Sequence, residues 1–148
     1  MKLTSRLKLA ALLVATLSIG QAFAGSGKAI VPHWTANSGD RSSHIFISNI
    51  SATSVNVSVS FYGKNGAKLS PSTYNNFTVA NTQLAAKSTG YVSIDNSGSD
   101  WGFAVIEWSN LEGEDSSVAL VAHGFREVAK STSVSGNFAI PINNGMPF

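Results

Sequence analysis

The feature that most constrains the fold of this chain is a strict alternation of apolar and polar side chains at 54–62. The segment reads SVNVSVSFY, which places Val55, Val57 and Val59 on one face of an extended strand and small polar residues on the other. Successive side chains of a strand point to opposite faces, so the pattern predicts a strand with one buried and one solvent-facing side. One-sided strands are typical of antiparallel sheets.

Further segments of this kind follow, and turn-forming residues separate them. The sequence GKNG at 63–66 predicts a hairpin turn, because Asn-Gly tolerates the positive φ angles that tight turns need. Pro32 restricts its segment to a sheet edge, since proline cannot donate to a strand ladder. Many short strands and no helical periodicity after residue 25 predict an all-β fold, an antiparallel β-sandwich of about seven to nine strands. The other predicted strands are 28–33, 44–49, 74–80, 89–94, 103–109, 118–124 and 137–142.

The N-terminal region has the three parts of a secretory signal peptide. A basic stretch without acidic residues leads into an apolar run at 9–20, and AFA at 22–24 matches the A-x-A cleavage pattern. The apolar run is too short for a membrane-spanning helix, which needs roughly 20 residues. We therefore expect a cleaved signal peptide at 1–24, a single domain at 25–148, and a periplasmic or secreted location of the bacterial type.

The charge of the predicted mature domain argues against a nucleic-acid partner. The whole chain has ten Lys and Arg against eight Asp and Glu. Three of the bases, Lys2, Arg6 and Lys8, lie in the predicted signal peptide, which leaves seven bases against eight acids. A nearly neutral domain lacks the basic stripe on which nucleic-acid binding depends. The chain has no cysteine, so neither disulfides nor lipid attachment to cysteine is expected, and we expect no membrane span after cleavage.

The residue types that carry catalysis or bind metals form no recognisable motif. His33, His44 and His123 lack a chelating spacing such as H-x-H, which favours separate histidines over a zinc site. The chain has no G-x-S-x-G sequence, so it offers no nucleophile elbow. The oxygen-rich loop at 95–100 lacks the full spacing of calcium ligands, which favours an ordinary Asx-turn loop. We predict a protein that is not an enzyme and needs no cofactor.

Glu107 has two interpretations, because it lies within an otherwise apolar strand. If its carboxylate faces inward, it needs a buried partner, for which Arg41 and Arg126 are the candidates. Period-two alternation instead favours an outward position, on the same face as Phe103 and Val105.

Aromatic residues give the clearest indication of function. Flat rings beside amides and carboxylates suit carbohydrate binding, since a ring covers the apolar face of a sugar while polar groups bond its hydroxyls. Trp34, Trp101 and Trp108 are predicted near strand ends, in loops or at outward positions. Trp34, in PHWTANSGDR at 32–41, is the preferred site residue, although interfaces between subunits are also rich in tryptophan. The candidate ligand-binding residues are His33, Trp34, Asp40, Arg41, His44, Trp108, His123 and Arg126.

A set of short motifs runs through most of the predicted domain. They are PHW at 32–34, SH at 43–44 leading to Asn49, VSVSFY at 57–62 with Gly66, FTVA at 77–80, AVIEWS at 104–109, ALVAH at 119–123 with Arg126, and FAIP at 138–141. Their order resembles the sensory rhodopsin transducer family of small β-sandwich proteins. The resemblance implies a sandwich, a symmetric oligomer and room for small or sugar-like ligands. It does not imply the signalling role, because those transducers are cytoplasmic and this chain carries an export signal.

These observations favour an exported, non-catalytic binding or assembly module. Its outer face or loop end would recognise a carbohydrate or another cell-surface component, and a homo-oligomer is expected. The alternative is a structural subunit of an extracellular matrix, filament or homo-oligomeric surface assembly. Low charge and an apolar edge segment near the start of the mature domain suit edge-to-edge assembly of that kind.

Overall fold

Two antiparallel sheets packed face to face make up the protein in its computed structural model. The structure describes residues 25–37, 41–95, 100–128 and 136–148. The predicted signal peptide at 1–24 lies outside the described residues, and so does Asp40. The prediction of an all-β sandwich is confirmed. No helix within the described ranges has the length and apolar character needed to cross a membrane.

Ten strands are present among the described residues, and seven of them have six residues or more. The remaining three have only two or three residues, so the predicted number is close to the number of long strands. The first sheet has the order β1-β8-β3-β4, with β6 also paired to β3, and the second has the order β10-β9-β2-β7-β5. The strands are β1 (Ser26–Ala36), β2 (Arg41–Asn49), β3 (Val55–Gly63), β4 (Lys68–Leu69), β5 (Thr73–Asn75), β6 (Gln83–Leu84), β7 (Thr89–Ile94), β8 (Asp100–Asn110), β9 (Leu120–Val128) and β10 (Gly136–Pro141), followed by a 3-10 turn at Asn143–Gly145.

The alternating segment that predicted the fold is β3, a strand inside the first sheet. Val55, Val57, Val59 and Phe61 all point into the core between the sheets and are buried. The second sheet contributes buried side chains to the same core, among them Ile45. Each fully buried aliphatic or aromatic side chain contributes about 1.5–3 kcal/mol through removal of apolar surface from water. The predicted turn follows directly, with the Gly66 N–H donating to the Gly63 carbonyl at 2.8 Å.

The predicted strand at 74–80 is wrong over most of its length, because β5 ends at Asn75. Val79 and Ala80 have φ angles of 48° and 53°, which belong to the left-handed region and cannot continue a strand. The Thr82 hydroxyl donates to the Val79 carbonyl and helps to close the turn. Tyr74 packs edge-on against the ring of Phe77, and burial raises the pKa of its hydroxyl above the ordinary value.

β1 is an edge strand, as Pro32 predicts, and it contains an irregularity that reorients its second half. Val31 pairs with Ala104, yet Trp34 pairs with Gly102, so β1 has one residue more than β8 over this stretch. Such a bulge reverses which side chains face the core beyond it. As a result His33 is exposed and Trp34 is buried.

Candidate functional site

The eight predicted site residues lie in three different places. Two are in the core, two are on the outer face of the second sheet, and three are at one end and edge of the sandwich; Asp40 lies outside the described residues. The core residues are Trp34 and Trp108, the face residues are His44 and His123, and the end and edge residues are His33, Arg41 and Arg126.

Trp34, the preferred site residue, is wholly buried in the structure. Its indole N–H donates to two backbone carbonyls, that of Tyr62 at 3.1 Å and that of Phe103 at 3.0 Å. Its ring meets the ring of Phe61 edge-on, with centroids 5.7 Å apart. The ring therefore has no face open to a ligand, and Trp34 ties β1 to its neighbour β8 and to β3, the next strand of the sheet.

Trp108 is also a core residue. Its indole N–H donates to the carbonyl of Phe148 at 2.8 Å. That same carbonyl accepts hydrogen bonds from the backbone N–H groups of Ala119 and Leu120. The Trp108 ring is almost completely covered, so it too is unavailable to a ligand at the surface.

The structure decides between the two interpretations of Glu107. Its carboxylate faces outward and lies 3.4 Å from the Lys28 ammonium, with both side chains more than half exposed. The partner is therefore neither of the two arginines considered from the sequence. An exposed ion pair of this kind contributes about 0–1 kcal/mol, and Glu107 lines a concavity of about 340 Å³ on the first sheet together with Asn56 and Ser58.

His44 and His123 belong to an aromatic ladder, which we define as His44, Phe46, Tyr91, His123 and Phe125 on the outer face of the second sheet. The His44 ring stacks on Phe125 with centroids 5.0 Å apart, and the His123 ring stacks on Phe46 at 5.3 Å. Offset stacking at this spacing leaves each ring partly covered by its neighbour. The His44 Nε2 atom also lies 2.9 Å from the Ser42 hydroxyl. These contacts account for both histidines as cross-strand packing residues.

Metal binding finds no support from the described residues. No group of three or more His, Cys, Asp or Glu side chains among them is arranged to hold a metal ion. Of the loop at 95–100, considered above for calcium, residues 96–99 lie outside the described ranges.

The most site-like arrangement is a concavity of about 310 Å³, here called the end pocket, where β1 ends and β2 and β8 begin. The strand register brings its lining together: Ala36 pairs with Asp100, Thr35 with Trp101, and Asn37 bridges to Arg41. Its size is at the lower end of the range typical of ligand pockets. The lining residues are His33, Thr35, Ala36, Asn37, Arg41, Asp100 and Trp101.

Trp101 supplies an accessible ring to the end pocket. Its side chain is 49% exposed, and the ammonium of Lys64 lies 4.6 Å from the centroid of the indole. Such a cation over an indole contributes about 0.5–1 kcal/mol at an exposed position. The ring is therefore restrained by its neighbour and still open to solvent.

Asp100 is held in a defined orientation beside that ring. Its Oδ1 atom accepts the backbone N–H of Trp101 at 2.9 Å and that of Lys64 at 3.4 Å. A Cβ at Gly63 would lie 2.7 Å from the other carboxylate oxygen, closer than van der Waals contact allows. Glycine at position 63 thus leaves room for the Asp100 carboxylate against the end of β3.

A second, smaller concavity of about 200 Å³, here called the edge pocket, lies between the edge strands β1 and β10. His33 borders both pockets, since the bulge in β1 turns it outward. The guanidinium carbon of Arg126 lies 4.5 Å from the Phe138 ring centroid. The lining residues are Pro32, His33, Arg126, Phe138, Ala139, Ile140 and Pro141.

The sequence-based site set left out Trp101 and Asp100, which define the end pocket. The sequence alone indicates Asp100 as one of several candidate carboxylates in or near loops, and Trp101 as one of the aromatic residues near strand ends. A signal was present, because Asp100 and Trp101 begin a strand directly after a turn-rich segment, where binding residues concentrate. The ends of β1 and β2 lie beside Asp100 and Trp101 because of long-range strand pairing, which the local sequence does not show.

No protein-family model, curated protein or solved structure matches this chain. The resemblance to the sensory rhodopsin transducer family therefore stays a prediction.

Proposed function

We propose that this protein is an exported, non-catalytic binding module that recognises a carbohydrate of the cell surface or its surroundings in the end pocket. One observation carries the proposal: the half-exposed indole of Trp101 borders a pocket that also contains the Asp100 carboxylate and the Arg41 guanidinium. An aromatic face beside oriented polar groups is the arrangement that sugars require.

Each group has a distinct task in this proposal. The indole of Trp101 covers the apolar C–H face of a sugar ring, the Asp100 carboxylate accepts hydrogen bonds from its hydroxyls, and Arg41 donates to its oxygens. The hydroxyl of Thr35, another lining residue, is buried and has no hydrogen-bond partner among the described residues. Buried polar groups are normally paired, so an unpaired hydroxyl beside the pocket supports a polar ligand.

Binding is favoured over hydrolysis by the acidic groups of the pocket. Most glycoside hydrolases use two carboxylates placed on either side of the scissile bond. Among the described residues that line the end pocket, Asp100 is the single carboxylate. One carboxylate held by two backbone amides supports recognition of hydroxyl groups.

Titration with a panel of neutral and acidic oligosaccharides tests the proposal. Trp34 and Trp108 are buried, so a ligand in the end pocket is expected to change the fluorescence of Trp101 in particular. Calorimetry with the best ligand is expected to show binding at least about tenfold weaker in Trp101→Ala, because aromatic anchors commonly contribute 2 kcal/mol or more to binding.

Phe103→Ala is the matched control for that experiment. Phe103 lies two residues further along β8, is 42% exposed and stacks on Tyr62, but it does not line the end pocket. The control is expected to bind like the unaltered protein. Equal weakening by both substitutions, or no response to any glycan of the panel, would contradict carbohydrate binding at this pocket.

Self-association is the second candidate function, and a different surface favours it. Ile30 is 47% exposed on the outer face of the first sheet, where it neighbours Val105, and Phe103 is exposed on the same face. The free edge of β1 is less suitable, because a lysine, a proline and a bulge are features by which natural edge strands resist pairing. We therefore place an assembly contact on this face, with Ile30 at its centre.

Light scattering over a range of protein concentrations tests this assembly. The unaltered protein is expected to exceed the monomer mass, and Ile30→Lys to return it to the monomer by placing a charge in the contact. Thr89→Lys, on the exposed outer face of the second sheet, is the control for added charge alone. A strict monomer at the highest concentration would exclude assembly.

A further inference from the structure

The edge pocket contains a positive charge, the Arg126 guanidinium. Alternation along β9 sends the neighbouring Glu127 to the outer face, where it lies 3.4 Å from His44. Arg126 points the opposite way, towards the opening between the two sheets that β1 and β10 border. No carboxylate among the described residues forms an ion pair with it.

The guanidinium of Arg126 is positioned but not satisfied. Its central carbon lies over the Phe138 ring in a cation–π contact, 4.5 Å from the ring centroid. Its Nε atom is buried and has no hydrogen-bond partner among the described residues. A buried donor without an acceptor destabilises the folded protein. A ligand that supplies an acceptor to the Arg126 Nε–H would remove this free-energy penalty.

The walls of the pocket restrict what that acceptor is attached to. Phe138, Ile140, Pro141 and Pro32 line most of it, and their side chains are apolar. His33 at the shared border of the two pockets is the other titratable group in the lining. The pocket therefore combines one cationic end with apolar walls.

We propose that the edge pocket binds the carboxylate of a small ligand, or of a ligand end, that carries a short apolar body. A guanidinium presents two parallel N–H donors that match the two oxygens of a carboxylate. The carboxylate pairs with Arg126, including its buried Nε–H, and the apolar body lies against Phe138 and Ile140. Inorganic phosphate complements the charge of Arg126, but it has no apolar part to contact the apolar walls of the pocket.

Nuclear magnetic resonance titration with hexanoate tests this site, because the Arg126 Nε–H has its own signal. The expected result is a saturable shift of that signal and of the Phe138 and Ile140 amides. Hexanamide, which keeps the shape but lacks the charge, and inorganic phosphate, which keeps the charge but lacks the apolar body, are each expected to bind at least about tenfold more weakly.

Variants assign the binding to Arg126. Arg126→Gln is expected to abolish hexanoate binding. Arg126→Lys retains the positive charge but lacks the two parallel N–H donors of a guanidinium, and it is expected to weaken binding. Arg41→Gln is the matched control, since it removes an arginine from the end pocket only. Circular dichroism and thermal unfolding establish that each variant is folded.

Several results would overturn the proposal. They are the absence of any saturable shift with hexanoate, equal binding of hexanamide or phosphate, and unchanged hexanoate binding in folded Arg126→Gln. The site is independent of the carbohydrate proposal. Trp101→Ala is expected to leave hexanoate binding intact, and Arg126→Gln to leave glycan binding intact, so failure of one proposal is distinguishable from failure of the other.

Discussion

Two tryptophans with opposite surroundings account for much of the behaviour expected of this protein at the residue scale. The indole of Trp34 is enclosed between the sheets and bonds the backbone of β3 and β8. The indole of Trp101 is half exposed and contacts Lys64. The first side chain therefore contributes to stability, and the second is available to a ligand.

Replacing each indole by a methyl group separates the two roles. Trp34→Ala is expected to lower the free energy of unfolding by about 3–5 kcal/mol, through lost burial and the cavity left behind. Trp101→Ala is expected to lower it by about 1 kcal/mol or less, since a surface substitution here removes only an exposed cation–π contact. Urea unfolding followed by circular dichroism measures both. Similar losses in the two variants would contradict this division.

The position of Trp34 shows how far the sequence alone leads. Ala29 and Val31 face the core, and strict alternation from them places His33 inside and Trp34 outside. The bulge after Val31 reverses that order. A bulge is set by pairing with a strand about 70 residues further along the chain, as the Val31–Ala104 pair shows, so local alternation does not predict it. This reversal explains why the sequence favours an accessible Trp34 and the structure encloses it.

At the scale of elements, the Ser43 hydroxyl joins the two sheets at the corner between β1 and β2, close to the Asn37–Arg41 bridge. The Ser43 Oγ atom accepts the N–H of Thr35 at 3.0 Å and donates to the carbonyl of the same residue at 3.0 Å. Ser43 belongs to the second sheet, and Thr35 lies on the edge strand of the first. The hydroxyl therefore replaces a missing neighbouring strand at this position.

Ser43→Ala is expected to lower the free energy of unfolding by about 1–3 kcal/mol, because it leaves a backbone donor and acceptor without this partner. Hydrogen exchange at the Thr35 amide is expected to accelerate. Ser42→Ala is the control, since that hydroxyl contacts His44 on the partly exposed outer face, and a change within about 0.5 kcal/mol is expected there. Equal effects of the two substitutions would show that the corner contact is unimportant.

Elements differ in how far their local sequence determines their structure. Strong alternation predicts β3 and the 89–94 strand, and β7 has the predicted bounds. The segment FTVA at 77–80 has the composition of a strand but forms a turn, because tertiary contacts such as the Thr78–Gln83 bridge determine its path. Composition describes which side chains fit a strand, and pairing partners decide whether the strand forms.

At the scale of the whole molecule, both pockets lie where the bulge in β1 turns His33 outward. Arg41 lines one pocket and Arg126 the other, and among the described residues Asp100 is the single acidic residue in either lining. At the end pocket the Arg41 guanidinium and the Lys64 ammonium over the Trp101 ring outnumber the Asp100 carboxylate among the described residues, which favours ligands that carry an acidic group. Among glycans, those with carboxylated sugars are therefore expected to bind more tightly than neutral ones, and with greater dependence on salt.

The most direct test of carbohydrate recognition at the end pocket is a nuclear magnetic resonance footprint with the tightest-binding glycan of the panel. Saturable shifts are expected at Thr35, Arg41, Asp100 and the Trp101 indole N–H, with the buried indoles of Trp34 and Trp108 much less affected. Shifts confined to the aromatic ladder on the second sheet, or no saturable shift at the end pocket, would contradict carbohydrate recognition at this pocket.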